Sequence, residues 1–161
     1  MEMEEIEHLV KDGILRMGYC PTTVFMYGTD GKTIVMLENF PNGYEEKVAY
    51  MDGAGKYARK SCSVGYVRKV FLVMEAWMAK GPINTGYIPP HLHPDRTEIA
   101  IIGCLDVQTQ EHSARSFEYI RDADGILREI KDYILPDGTR TAQAESPLLP
   151  AFVAGYNHIT R

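Results

Sequence analysis

The sequence predicts an α+β domain: a mainly antiparallel sheet of about six strands in the order αββαββββ, with two longer helices packed on it. Three observations lead there. Apolar residues recur at three- and four-residue spacing over residues 3–17 and 44–61, which marks a helical face. Residues 22–38 and 112–135 hold strand-like runs around short turns bearing Asp and Gly, which marks hairpins. Between these, residues 66–109 supply two apolar runs on either side of a long polar loop, and runs of that composition are covered on both faces, as central strands are.

In chain order, Met3, Ile6, Val10, Ile14 and Met17 form the apolar stripe of the first helix, and Gly18 stands where a helix stop is expected. Thr22 to Tyr27 and Thr33 to Glu38 read as strands joined through Gly28-Thr-Asp-Gly-Lys32, whose Asp30-Gly31 pair tolerates positive φ. Pro41 and Asn42 break the chain, and Val48, Met51, Gly55, Ala58 and Cys62 define the second helix, from Tyr44 to Ser61. Gly53 and Gly55 inside it each cost about 1 kcal/mol against alanine, so they are expected to serve close packing against the sheet.

Val70 to Met74 and the alternating series Ile99, Ile101, Leu105 and Val107, with Ala100, Ile102 and Cys104 on the other face, give the two central strands. His112 to Arg121 and Ile126 to Leu135 form a second hairpin across Asp122-Ala-Asp-Gly125. Their many charges mark them as outer strands, where charge discourages edge pairing. Ser146, Pro147 and Gly155 suggest cap, first turn and stop of one short further helix. No repeat or linker divides residues 1–161, so a single domain is expected.

Composition bounds the function. Of 161 residues, 45% are hydrophobic and 24% charged, enough for one core without staples. A net charge of -5 and no Lys/Arg run longer than two residues exclude the footprint of a nucleic-acid or anionic-membrane binder. The acidic start MEMEEIEHLV is unlike a basic secretory signal, and no apolar stretch approaches the roughly 18 residues of a membrane span, so a cytoplasmic location is expected. Cys20, Cys62 and Cys104 are widely spaced without a CxxC. They read as free thiols, with Cys62 and Cys104 buried.

No cofactor is implied. Gly53-Ala-Gly55-Lys56 lacks the spacing and the following Ser or Thr of a phosphate loop, and there is no GxSxG elbow. The unpatterned stretch from Lys80 to Arg96 is longer than the roughly 12 to 15 residues usual for a plain connection, which points to a functional loop. Glu75 lies on the same strand face as Val73 and Trp77, so its carboxylate needs a partner, Arg96 or donors of the loop. Arg96, flanked by Asp95 and Glu98, reads as part of a structural ion-pair cluster, and Trp77, Tyr66, Tyr87 and Phe71 read as core aromatics.

His91-Leu-His93 has metal-ligand character, because residues two apart on an extended strand point to one side. Pro90 and Pro94 bracket the pair and bend its path, so no metal is expected; the alternative ligand set is His91, His93 and Glu98. With Gly103 beyond, the series HxHxxxxE resembles the first metal motif of the cupins. That likeness implies two histidines and a glutamate holding a transition metal inside a β-barrel. The second cupin motif is missing.

Glu75-Ala-Trp-Met78 and His93-Pro-Asp-Arg-Thr-Glu98, separated by a proline-bearing loop, together resemble a group of uncharacterised prokaryotic proteins. These have an E-A-W strand and a P-x-R-x-E pattern where the next strand begins. The resemblance implies a shared fold around Glu75 and Arg96 and supplies no activity. The candidate binding site is therefore Glu75, Trp77, Arg96 and Glu98. The expected function is binding of a protein partner, a ligand or a second copy of the chain through the 80–96 loop, as an intracellular homo-oligomer or complex. The alternative is a metal-dependent hydrolase or oxygenase using His91, His93 and Glu98.

Overall fold

The computed structural model describes residues 2–79 and 96–158. The elements are α1 (Glu2–Met17), β1 (Thr23–Gly28), β2 (Gly31–Met36), α2 (Tyr44–Ser61), β3 (Val67–Ala79), β4 (Arg96–Asp106), β5 (Glu111–Arg121), β6 (Leu127–Asp132) and α3 (Leu148–Asn157). All six strands form one antiparallel sheet in the order β2-β1-β3-β4-β5-β6. The two apolar runs, β3 and β4, are its centre. The sheet is open, with β2 and β6 at its ends, so the barrel implied by the cupin likeness does not form among the described residues.

Strand alternation sorts the core into two layers. On one face of β3, Val70 and Leu72 join Met51 and Ala58 of α2 and Leu149, Phe152 and Tyr156 of α3. On the other face, Phe71 and Val73 meet Ile6, Val10 and Ile14 of α1, together with Phe25, Ala100, Ile102, Cys104, Phe117 and Tyr119. Gly18 ends α1 at φ 79, and its N–H donates to the Ile14 carbonyl at 2.7 Å. A residue with a Cβ is strained there.

The glycines of α2 act differently from the expectation. A Cβ on Gly55 would stand 2.0 Å from the Phe152 carbonyl oxygen, and one on Gly155 2.0 Å from that of Asp52. The close approach is thus between α2 and α3, not between α2 and the sheet. Gly53 has open space around it. Gly155 is an interior residue of α3, which runs on to Asn157. Ser146 does reach the helix start, its Oγ accepting the Leu148 N–H at 3.3 Å. Tyr156 ties the far end down: its hydroxyl accepts from Val64 N–H at 2.9 Å and donates to the Gly65 carbonyl at 2.7 Å.

Three further expectations are corrected. β5 is an interior strand, paired with β4 and β6, and its Phe117 and Tyr119 are core; of that hairpin, β6 is the outermost strand. Cys62 is half-buried, whereas Cys20 and Cys104 are buried, and none of the three is in a disulfide. Of the aromatics read as core, Phe71 is buried, but Tyr66 and Trp77 are exposed, and Tyr87 lies outside the described residues. Among the described residues no helix is long and apolar enough to cross a membrane.

A buried charge network fastens α1 to the β5–β6 side. Glu7, only 8% exposed, accepts from Arg115 Nη1 at 2.6 Å, from Lys11 at 3.0 Å and from Arg140. Lys11 also reaches Asp132 at 2.7 Å and sits over the Phe117 ring. Burial by itself raises the Glu7 pKa, and hydrogen bonds from Lys11, Arg115 and Arg140 overcome it and hold the carboxyl below its ordinary range.

Candidate functional site

The register of the central pair sets Trp77 opposite Glu98 and Ala79 opposite Arg96. Glu75, Trp77, Arg96 and Glu98 therefore all project from the face that carries α1, at the end of β3 and the start of β4. The structure divides them into two contacts. The Arg96 guanidinium lies over the Trp77 indole, 5.1 Å from the ring centroid. Glu98 accepts two hydrogen bonds from Arg121 of β5, Nε to Oε2 at 2.7 Å and Nη2 to Oε1 at 3.0 Å.

Arg121 was not among the residues singled out from sequence. Its remaining donors reach the Gly18 carbonyl at 3.0 Å and the Gly125 carbonyl at 3.1 Å, so it joins β4, the end of α1 and the β5–β6 turn. The hydrogen-bonded Glu98 carboxylate raises its pKa further.

Glu75 was expected to pair with Arg96 or with donors of the loop; Arg96 instead stacks on Trp77, and residues 80–95 lie outside the described residues. What surrounds Glu75 is Tyr119 and Cys20. Desolvation raises the Glu75 pKa, against the Tyr119 hydroxyl and the Cys20 backbone N–H, which favour the charged form; the charge of Glu98 adds to the rise and Arg121 opposes it. Burial followed by the Glu75 charge also raises the Tyr119 pKa. The Tyr119 hydroxyl is close enough to Glu75 to bear on its charge, yet the buried oxygen makes no hydrogen bond of full geometry.

Cys20 closes the polar cluster. Burial, followed by the Glu75 charge, pushes its thiol up to about 12. At neutral pH it is a protonated thiol, the wrong state for a nucleophile. Glu98, with both oxygens held by Arg121, is likewise committed. His91 and His93, the other members of the alternative metal set, lie outside the described residues, as does Asp95. Among the described residues no three His, Cys, Asp or Glu side chains gather as a metal site.

Cys20 also belongs to a second feature. A shallow apolar groove of about 190 Å³ runs beside α1, lined by residues that include Leu9, Ile14, Met17, Phe25, Ile34 and Met36. Cys20 and Val73 lie in its wall, so the groove meets the polar cluster there. The only sequence signal for Tyr119 and Arg121 was their alternation with Phe117 on one strand face.

No family model matches the chain, and no curated protein and no solved structure matches it.

Proposed function

We propose that this chain is a non-catalytic cytoplasmic domain that works by binding a protein partner or ligand, using the Lys80–Arg96 loop and the sheet surface at its root. The observation that carries this reading is the exposed Trp77–Arg96 stack. Trp77 is 43% exposed although it stands on a central strand, and Trp and Arg are the residues most often found at the energetic centre of interfaces. The neighbouring groups favour binding over turnover: Glu98 is neutralised by Arg121, and Cys20 is a protonated thiol. Three cysteines outside any disulfide suit a reducing compartment.

Trp77 is the sole tryptophan of the chain, so its emission reports on this surface alone. A partner isolated with the wild-type chain is expected to shift that emission on titration. The same partner should be lost when residues 82–94 are replaced by a short Gly-Ser linker, or when Trp77→Ala is combined with Arg96→Ala, with the fold intact by circular dichroism. An unchanged set of partners in both variants would sink the reading. A zinc- or iron-dependent rise in melting temperature, abolished by His91→Ala with His93→Ala, would replace it with the metal-dependent enzyme. Metal at 100 times its dissociation constant adds roughly 2.7 kcal/mol.

A further inference from the structure

Among the described residues β2 ends the sheet with no strand on its outer side, and that edge coincides with the rim of the apolar groove. In an antiparallel ladder the backbone groups of successive residues point alternately toward and away from the neighbouring strand. Leu37 N–H donates to the Thr22 carbonyl of the β1 side at 2.9 Å, which fixes the phase. Thr33 and Val35 face β1 in the same way, and the N–H and C=O groups of Lys32, Ile34 and Met36 face outward.

The side chains of these outward-facing residues lie on the α1 face, because Ile34 stands opposite Phe25 and Met36 opposite Thr23. Ile34 is 56% and Met36 64% exposed, next to Leu9 at 54% and Met17 at 52% on α1. Strand edge and apolar side chains thus offer one continuous surface, of the kind that pairs with another strand.

We propose that this edge joins a second copy of the chain, the two β2 strands pairing antiparallel about Val35 to make one continuous sheet. That register sets Ile34 against Met36 of the other copy, twice. It also brings Lys32 of each copy to Glu38 of the other, and both residues are exposed. The main-chain ladder ends at Met36, because the Glu38 carbonyl accepts the Tyr50 hydroxyl at 2.5 Å; Glu38 contributes its side chain.

The alternatives are worse matched. A slip of one residue sets outward-facing backbone groups against inward-facing ones. A slip of two sets Lys32 against Met36, or Glu38 against Ile34, and loses both charge pairs. The twofold axis of such a pair stands perpendicular to the sheet, so the two α1 faces lie on the same side and the two grooves run together. The proposal does not depend on the 80–96 loop.

Sedimentation equilibrium of the full chain should give twice the 18.2 kDa mass. Ile34→Lys should give the monomer with an unchanged circular-dichroism spectrum, since that side chain is exposed. Lys32→Glu should weaken the dimer about tenfold by opposing like charges at two places, and Lys32→Glu combined with Glu38→Lys should restore it. Amide exchange at Ile34 and Met36 should be slow in the dimer and fast in Ile34→Lys. Replacing residues 82–94 should leave the dimer intact, which separates this proposal from the loop reading. A wild-type monomer at every concentration, a dimer that survives Ile34→Lys, failure of the charge swap to restore association, or a different protein occupying the β2 edge would overturn it.

Discussion

The two faces of the sheet are closed by different means. Six strands at about 4.8 Å spacing stretch across roughly 24 Å, whereas a helix is about 10 Å wide. Two helices, α2 and α3, share one face over β1 to β4, and they do so by shape: Gly55 and Gly155 let their backbones meet, and the layer between them and the sheet is apolar. Among the described residues the other face has α1 alone. α1 is drawn to the β5–β6 side by Glu7 and its cations, and β1 and β2 are left under an open groove. One face is closed over β1 to β4 by helix packing; the other is anchored by charge at its β5–β6 end, where Arg121 also ties the polar cluster to the β5–β6 turn, and among the described residues the exposed edge of β2 lies at the opposite end.

The charge anchor should show the largest effect. Glu7→Gln removes the negative charge shared by Arg115, Arg140 and Lys11 and turns one of its two acceptor oxygens into a donor, and losing the charged partner of a buried cluster is expected to cost about 3 kcal/mol in urea unfolding. The pH dependence has a definite sign. Because the Glu7 carboxyl is held below its ordinary 4.5 in the folded state, its contribution is present above that value and lost as pH falls through the lower folded one. The gap between wild type and Glu7→Gln should therefore close in acid; a gap that stays constant would contradict an electrostatic anchor.

Packing on the opposite face is tested by a pair of glycines two residues apart. Gly55→Ala forces a methyl group against the α3 backbone and should cost about 2 kcal/mol, while Gly53→Ala, with open space, should gain up to about 1 kcal/mol from helix propensity. Equal effects at the two positions in thermal melts would deny that α2 and α3 are in backbone contact.

Within the open face, double-mutant cycles separate contacts that share a register from contacts that touch. Glu98→Gln with Arg121→Met should show a coupling of about 1 kcal/mol or more, as expected for a paired group. Glu75→Gln with Arg96→Met should be additive within about 0.5 kcal/mol, since Arg96 stacks on Trp77. A strong coupling in the second cycle would restore a Glu75–Arg96 pair.

The smallest effect expected is that of Glu75→Gln alone, and its sign opposes that of Glu7→Gln. Burial raises the Glu75 pKa, so the fold favours the protonated form; that contribution is present below the ordinary 4.5 and is lost as pH rises through the higher folded value. A permanently neutral Gln keeps it. Melting temperature should rise slightly at pH 7 and converge with wild type in acid; a less stable variant at neutral pH would mean that the Cys20 N–H and Tyr119 contacts to the carboxylate outweigh its desolvation.

Sequence periodicity by itself determined the helices over 3–17 and 44–61, both hairpins and the central position of the strands flanking the loop. It also placed Glu75 and Trp77 on one face. These are local properties: helical and extended backbones repeat with fixed periods, and apolar residues must follow them to share a core. Only the tertiary structure decided which residue meets which. Glu98 finds Arg121 and Arg140 finds Glu7 across 23 and 133 residues, because β5 lies beside β4 and α1 crosses the β5–β6 end. Trp77 is exposed on a central strand because α1, the one helix on its face among the described residues, is fastened toward β5 and β6. Alternation tells which residues share a face; what covers that face is set by how many helices are available and where they are fastened, and that is a property of the assembled layers.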